Sequence, residues 1–335
     1  YADLAAIHLW RSSQVLGEGG RIAFVSPVSI VNARDTGRLW KRFEAEADAV
    51  SVLIPESNPF DASVRVFVPV FEVRRRERSG RRSLATAVAE AIGLPHVQLG
   101  DDAPTLDSIA SATSGFRDEF YGLAEHVQEE PVQENEAKEG AGGIGRLVTV
   151  GSIDPLRCSW GVSSTKFAKA KWDRPVVKTT ELHGRVGNFV QAQMKPKVLV
   201  ATQTKVLEPV VDPVGDLVGV TPTIIVTTEQ PSHVAAVLLA PAVNALAVGR
   251  WFGTGLSETA LRPTASTLLE LPLPPDTDSW DRAAALIESA AQPIDGSQSQ
   301  PDPDLLQEVA AEMNRAYGGS DELLQWWLDR SGVVS

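Results

Sequence analysis

A run of positively charged side chains between Arg157 and Lys205 is the feature of the sequence best able to bind a ligand. Its ten basic and two acidic residues give a local charge of +8, whereas the whole chain of 335 residues carries −12. A second basic cluster, at residues 74–82, follows a strand-like segment, while acidic residues concentrate at 118–139 and in the tail after residue 275. Basic patches within an acidic chain indicate a surface that binds a polyanion such as nucleic acid.

The composition places the chain among globular proteins. It is 43% hydrophobic and 22% charged, and its length suggests about two domains. The single cysteine, Cys158, excludes an internal disulfide framework and a cysteine-rich zinc site. The sequence has neither an uninterrupted apolar run long enough to span a membrane nor a secretory signal. We therefore expect a cytoplasmic protein, and the start at Tyr1 leads us to expect the later part of a longer chain.

Several motif-like fragments lack the context that their chemistry requires. Residues 140–145 match G-x-G-x-x-G, but an acidic loop precedes them and a strand follows, whereas a dinucleotide site needs a strand and then a helix. Asn58-Pro59-Phe60 lacks the second proline of a catalytic Asn-Pro-Pro-Phe turn. The five histidines are too scattered to indicate a metal site. We interpret these fragments as a loop, a surface turn and isolated side chains.

Hydrophobic periodicity predicts the elements that position the basic segments. In residues 1–78, helices and strands alternate as in a layered α/β sheet. The predicted strands are 21–26, 50–54, 64–73, 146–150, 197–201, 206–211 and 223–228. The predicted helices are 4–16, 36–47, 234–251, 280–291, 304–317 and 322–329. Trp160, Phe167 and Trp172 alternate with the lysines and are predicted to be core residues.

Three segments follow one another in an order that is informative as a set. They are Tyr1-Ala-Asp-Leu-Ala-Ala-Ile-His-Leu-Trp10, Gly17-Glu-Gly-Gly-Arg-Ile-Ala-Phe-Val-Ser-Pro27 and Phe60-Asp-Ala-Ser-Val-Arg-Val-Phe-Val-Pro-Val-Phe71. This order resembles the later motifs of adenine-N6 DNA methyltransferases whose target recognition domain is C-terminal. Residues 114–122, 196–207, 253–257 and 268–274 resemble the specificity domain of the same family.

The resemblance implies an α/β fold class: a partial Rossmann-like class I methyltransferase sheet, then a mixed α+β target recognition domain and a helical tail. Residues 1–78 would be the C-terminal part of the catalytic domain, and residues 79–100 a helical insertion. Residues 101–275 would be the target recognition domain, with a mobile acidic and glycine-rich loop near 125–145. Residues 276–335 would form the acidic helical tail.

The resemblance also implies a function. The chain would be the C-terminal portion of an S-adenosyl-L-methionine-dependent enzyme that flips an adenine out of duplex DNA and methylates its N6, in restriction-modification or phage defence. The family's glycine-rich cofactor loop and Asn-Pro-Pro-aromatic motif are absent from this sequence. We therefore expect the chain alone to be inactive and to act with a missing N-terminal half or a restriction or defence partner.

Site residues follow from the same resemblance. Asp3, Leu4 and His8 would contribute to the S-adenosyl-L-methionine site, with His8 at a position that is usually phenylalanine. Phe71 would stack on the flipped base, or else belong to the sheet core. In the recognition domain, phosphates would be neutralised by Lys166, Lys169, Lys171, Lys195, Lys197 and Lys205, and base edges reached by Arg117, Thr202 and Gln203.

Two alternatives to the methyltransferase stay open. One is a non-catalytic DNA-specificity module that serves a separate catalytic subunit. The other is an interaction or scaffold protein that uses the acidic tail. A glycine-rich loop and an Asn-Pro-Pro-aromatic motif upstream of Tyr1 would establish the enzyme.

Overall fold

The chain folds into two units. The computed structural model describes residues 4–31, 37–55, 60, 66–75, 82–97, 99–100, 103–115, 117–130, 143–253, 255, 260–296 and 303–333. Unit 1 comprises Tyr1–His96 and Ala245–Arg262, and unit 2 comprises Val97–Asn244 and Pro263–Ser335. These units differ in their boundaries from the predicted domains, whose assigned roles stay predictions.

Unit 1 is built around one central strand. Its elements are α1 (Leu4–Val15), β1 (Arg21–Ala23), β2 (Ser26–Pro27), α2 (Gly37–Glu44), β3 (Ala47–Leu53), β4 (Val66–Val73) and α3 (Leu84–Ala91). β4 pairs with β1, β2 and β3, and alternate residues of β4 are fully buried, as the two-residue period of a strand requires. Every strand pair that the structure describes in unit 1 is antiparallel. A Rossmann-like sheet is mostly parallel, so that arrangement stays a prediction.

Unit 2 contains two four-stranded sheets and a group of helices. Its first part consists of β5 (Ala110–Ser114), α4 (Arg117–Ala124), β6 (Val127–Glu129), β7 (Ile144–Val148), β8 (Ile153–Asp154), β9 (Arg157–Cys158), β10 (Thr165–Phe167), β11 (Ala170–Trp172), β12 (Pro175–Lys178) and α5 (Gly184–Gln193). Its second part consists of β13 (Lys197–Ala201), β14 (Glu208–Asp212), β15 (Leu217–Gly219), β16 (Ile224–Thr228), α6 (Pro231–Leu239), α7 (Pro241–Trp251, which continues into unit 1), α8 (Ala265–Leu269), α9 (Thr277–Ala290), α10 (Pro303–Ala316) and α11 (Asp321–Ser331).

The two sheets of unit 2 have the strand orders β15-β7-β12-β6 and β14-β13-β16-β5, and the pairs β8–β9 and β10–β11 form separate hairpins. All five residues of β13 are buried between its neighbours β14 and β16. α6 packs on β14 and also contacts α9 and α10, so these tail helices belong to the body of unit 2. Trp160, Phe167 and part of Trp172 are buried, which confirms their prediction as core residues.

The predicted single helix at residues 234–251 is wrong, because the chain breaks it into α6 and α7. The two helices are bent by 65° at Ala240, where φ is −59° and ψ is 130°. Pro241 has no N–H to donate, and its ring excludes the preceding residue from helical geometry. No single helix within the described ranges is long and apolar enough to span a membrane; only this bent pair reaches that length and composition, and most of its residues are buried.

The predicted mobile loop near residues 125–145 is partly structured. β6 lies within it and pairs with β12, and β7 begins at Ile144. Residues 131–142 and the Asn58-Pro59 turn lie outside the described residues.

Candidate nucleic-acid interface

The hairpin formed by β10 and β11 concentrates positive charge on one face. The name lysine hairpin is used for residues 165–172. Lys166 lies directly opposite Lys171, whereas Thr165 pairs with Trp172 and Phe167 with Ala170. Side chains alternate between the two faces of a strand, so the lysine pair lies on one face and the other two pairs lie on the opposite face. Lys166, Lys169 and Lys171 are exposed, and none forms an ion pair with a described carboxylate.

The backbone conformation of the turn in the lysine hairpin is unfavourable for the two residues that occupy it. Ala168 and Lys169 have φ values of 49° and 67°. A two-residue turn with both central residues at positive φ favours Asn-Gly, since a side chain in the left-handed region costs about 1–2 kcal/mol per residue. The turn therefore places Lys169 at the hairpin tip at a cost in stability.

The lysine pair is unfavourable as well. Residues directly opposite each other in an antiparallel pair have Cβ atoms about 4.5–5.5 Å apart, and like charges at that position destabilise the pair. In water, two unit charges at about 6 Å repel by roughly 0.7 kcal/mol. An anion lying on this face would offset that repulsion.

The opposite face fixes the lysine hairpin to unit 2. Phe167 is 2% exposed and its ring lies 4.7 Å from that of Phe120 on α4, centroid to centroid. The Thr165 and Thr149 hydroxyls are 2.5 Å apart, and the Trp172 indole N–H donates to the Phe167 carbonyl at 3.1 Å. The positions of the lysine Cα atoms are thus set by a packed core rather than by a free loop.

Three loops converge at one end of the sheet β14-β13-β16-β5. Ser114 at the end of β5 lies opposite Ile224, and Ile224 lies opposite Val200 near the end of β13. The residues that continue from these ends, 115, 202–203 and 221–222, are called the sheet edge. Thr202 Oγ1 donates to the Pro222 carbonyl at 2.8 Å, and Thr221 Oγ1 donates to the Gly115 carbonyl.

Glycine is required at position 115 of the sheet edge, because a Cβ atom there would lie 2.7 Å from Thr221 Oγ1. Gln203 is half-buried at the same edge and has a φ of 68°.

Strands are about 4.8 Å apart, so the loops after β13 and β5, with β16 between them, are about 10 Å apart. α4 begins just after the sheet edge, and Phe120 on α4 contacts the lysine hairpin. The sheet edge and the lysine hairpin are therefore tied together through α4.

The chain is similar to known proteins in its fold. No known family profile matches the sequence, and no curated protein matches it. Among solved structures, the chain is similar to the Type IIL restriction-modification enzyme MmeI in complex with DNA. The TM-score is 0.52 at 9% identity, and the match covers 98% of this chain and 51% of that one. The fold is similar to that of part of a restriction-modification enzyme.

A second solved structure, the type IIG restriction endonuclease BpuSI, has a TM-score of 0.36 at 9% identity. The match covers 98% of this chain and 49% of that one. The chain thus spans about half the length of the two enzymes it matches.

The structure corrects the prediction that Lys197 contacts phosphate. Its side chain is fully buried on β13 and forms an ion pair with Asp212, whose side chain is 2% exposed. Burial lowers the pKa of Lys197, and the Asp212 carboxylate opposes that shift. Asp212 also accepts the N–H groups of Gly215 at 2.7 Å and Leu217 at 3.0 Å. Lys197 therefore holds together a core turn and offers no charge to a ligand.

The +8 segment is also smaller as a surface than its charge count indicates. Arg174 pairs with Glu130 at 2.7 Å, Arg157 with Asp154 at 3.6 Å, and Lys178 with Glu181 at 3.1 Å. Two of these acids, Glu130 and Asp154, lie before the segment in sequence. Within this segment, the exposed lysines without a described ion-pair partner are those of the lysine hairpin, Lys195 and Lys205.

Lys195 and Lys205 do not form one patch. Lys195 precedes the start of β13 and Lys205 follows its end, so the strand, about 13 Å long, separates them. Lys205 lies just after the sheet edge, and its carbonyl accepts a hydrogen bond from Arg330 Nε at 2.8 Å. Contacts of both lysines with phosphate stay predictions.

The three residues predicted to contact base edges lie in different environments. Thr202 is 3% exposed and its hydroxyl is engaged with Pro222, so the structure does not present it to a base. Gln203 lies at the sheet edge, and Arg117 begins α4 with its side chain outside the described residues. Base contacts by Gln203 and Arg117 stay predictions.

Phe71 belongs to the sheet core, which is one of its two predicted roles, and its ring is not presented to a base. Its ring is fully buried on β4, edge-to-face with Phe43 at 4.5 Å and stacked with Trp40 at 6.3 Å. A ring with both faces covered by its own core cannot receive a nucleobase without rearrangement of unit 1.

The predicted cofactor residues form no enclosed site. Leu4 is 72% exposed and His8 is exposed one turn later on α1, while Asp3 lies outside the described residues. α1 buries Ala6, Leu9 and Ser13 instead. Leu4 and His8 alone do not enclose an adenosyl group, and their part in an S-adenosyl-L-methionine site stays a prediction.

Sequence reasoning missed the pairing that defines the lysine hairpin. The segment Thr165-Lys-Phe-Ala-Lys-Ala-Lys-Trp172 alternates apolar or small residues with lysines about a short turn, and that alternation is the signal of a two-residue hairpin. The absence of Gly or Asn from the turn concealed it.

Cys158, expected to be buried or incidental, is buried, and that burial raises the pKa of its thiol to about 12.

Proposed function

We propose that this chain is the C-terminal, DNA-recognising portion of a restriction-modification adenine-N6 DNA methyltransferase. The observation that supports the proposal is the similarity of its fold, over 98% of the chain, to that of an enzyme solved in complex with DNA. The order of the sequence motifs supports the adenine-N6 class. Double-stranded DNA is the proposed partner.

In this proposal the lysine hairpin and the sheet edge have different tasks. Exposed lysines bind backbone phosphates and set the position of the duplex, without reading its sequence. Gln203 and Arg117 can hydrogen-bond to base edges, where glutamine and arginine recognise adenine and guanine. α4 links the two surfaces and fixes the distance between phosphate contacts and base contacts.

In this proposal, residues other than those described here carry out the methyl transfer itself. S-adenosyl-L-methionine would supply the methyl group in the complete enzyme. The enzyme would have to flip the adenine from the duplex and hold it outside the stack. The buried Phe71 takes no part in that step.

The test is expression of the complete open reading frame that encodes this chain, in a host without adenine methylation, followed by long-read mapping of the host DNA. N6-methyladenine at one defined sequence is expected. Exchange of residues 101–275 for the corresponding part of a relative should move the methylated sequence without abolishing methylation. An exchange that preserved the original sequence would overturn the assignment to DNA recognition. DNA binding without methylation would instead favour a specificity module that serves a separate catalytic subunit.

A further inference from the structure

We infer that Lys166 and Lys171 together hold a single backbone phosphate of duplex DNA. The inference rests on the proposed function for its partner, and on the register of the lysine hairpin for its geometry. It goes beyond a general basic patch, because it assigns two ammonium groups to one anion.

The register brings the two lysines to the spacing that one phosphate needs. The pair that closes a two-residue turn, Phe167 and Ala170, is hydrogen-bonded, so the next pair, Lys166 and Lys171, is the non-hydrogen-bonded type with the closest side chains. Two ammonium groups that each donate at about 2.8 Å to different oxygens of one phosphate lie about 6 Å apart. The lysine side chains reach that separation from their cross-strand positions without any change of the backbone.

The surroundings leave the pair available for an external anion. The residues beside it are the half-buried Ala168 and the exposed Lys169, Ala170 and Asp173. Neither lysine pairs with a described carboxylate, whereas Arg174 and Lys178, which follow in sequence, both do. The packing of Phe167 prevents the strands from separating to relieve the repulsion. A phosphate between the two ammonium groups relieves it directly.

The test is the salt dependence of binding to a 30-base-pair DNA duplex, measured by fluorescence anisotropy on the full chain between 50 and 300 mM KCl. Each neutralised phosphate contributes about 0.9 to the slope of log K against log salt. One remaining ammonium still neutralises a shared phosphate, so Lys166→Gln and Lys171→Gln should each change the slope little. The double variant should reduce the magnitude of the slope by about 0.9.

The control is Lys178→Gln, which removes one charge from an exposed lysine that is already paired with Glu181. Its slope should equal that of the unmodified chain. Slope losses of about 0.9 in each single variant and about 1.8 in the double variant would mean two separate phosphates and would overturn the inference. An unchanged slope in the double variant would overturn it too. Both results leave the proposed function standing, whereas absence of duplex binding by the unmodified chain would contradict the proposed function itself.

A charge reversal separates loss of binding from loss of folding. Lys166→Glu turns the repulsive pair with Lys171 into an attractive cross-strand pair, so the melting temperature should rise by about 1–3 °C. The same variant should bind the duplex at least about tenfold more weakly at 100 mM KCl, since a carboxylate repels the phosphate. A lower melting temperature, or unchanged DNA affinity, would overturn the inference.

Discussion

Lys197 on β13 and Asp212 on β14 face each other in register and form an ion pair with both side chains buried. The two charges are compensated locally, because Asp212 also accepts the backbone N–H groups of Gly215 in the turn that follows it and of Leu217 at the start of β15. The pair joins the start of a central strand to the turn between β14 and β15. Its role is in folding, although Lys197 belongs by sequence to the most basic segment of the chain.

Lys197→Met should destabilise the protein by about 3–5 kcal/mol, because it leaves the Asp212 carboxylate buried without its cation. Chemical unfolding followed by circular dichroism measures this change. Lys195→Met, at an exposed position two residues earlier, should change the free energy of unfolding by less than about 0.5 kcal/mol. If Lys197→Met altered DNA binding while leaving stability unchanged, Lys197 would belong to the binding surface after all.

This pair shows where sequence reasoning succeeded and where it could not. The strand at 197–201 was predicted with the bounds that the structure has, because four consecutive apolar residues follow Lys197. The burial and ion pairing of Lys197 were not predictable from the sequence, since its partner is 15 residues away. The register that joins the two residues arises only when the sheet forms. Local charge counts fail for the same reason at Arg174, whose partner Glu130 lies 44 residues earlier.

The helix break at Pro241 was visible in the sequence, yet apolar residues on both sides favoured one continuous helix. Pro241 breaks the helix, and the buried Asn244 stabilises the break by donating to carbonyls at the end of α6. The lysine hairpin was missed because its turn lacks Gly and Asn, so packing of Phe167 against Phe120 rather than turn propensity fixes it. The site therefore depends on tertiary contacts that no local pattern contains.

Glu208 should make stability depend on pH. Burial, and then the negative charge of Asp154, raise the pKa of Glu208 from 4.5 to about 8. A carboxyl group whose pKa is higher in the folded state favours folding in its protonated form. Its contribution is fully present below pH about 4.5 and is lost as pH rises through about 8. Glu208→Gln should therefore be more stable than the unmodified chain at pH 8.5, with the difference shrinking towards pH 5.

Urea unfolding at pH 5, 6.5 and 8.5 measures the effect of Glu208→Gln. The matched control is Glu229→Gln, at an exposed position of the same unit, which should shift stability equally at all three pH values. A difference between Glu208→Gln and the unmodified chain that does not grow with pH would show that Glu208 is ionised in the folded protein throughout this range.

Phe71→Ala should act on the stability of unit 1. Removal of a fully buried phenylalanine that packs on Phe43 and Trp40 costs about 3–5 kcal/mol. Phe24→Ala, at a residue that is 38% exposed, is the matched control and should cost much less. Thermal unfolding of both variants measures the difference. A Phe71→Ala protein of normal stability that nevertheless lost methylation in the complete enzyme would restore the base-stacking role.

Asn244 provides the last test, because one buried side chain satisfies three backbone groups. Its Oδ1 accepts the Leu207 N–H at 2.7 Å, and its Nδ2 donates to the carbonyls of Leu238 at 2.9 Å and Ala240 at 3.0 Å. Asn244→Leu keeps a similar volume but leaves the Leu207 N–H and the Leu238 carbonyl buried and unpaired, at roughly 1–3 kcal/mol for each. The Ala240 carbonyl still accepts the backbone N–H of residue 244.

We expect Asn244→Leu to lower the free energy of unfolding by at least about 2 kcal/mol in urea titrations. Asn188→Ala, on the exposed face of α5, should change it by less than about 0.5 kcal/mol. Asn244→Asp separates the two halves of the interaction, since it keeps the acceptor for Leu207 but cannot donate to the α6 carbonyls. Because the buried carboxylate would also face those carbonyl oxygens, Asn244→Asp should be at least as unstable as Asn244→Leu at pH 8. Wild-type stability in both variants would mean that Pro241 alone, without Asn244, maintains the 65° break between α6 and α7.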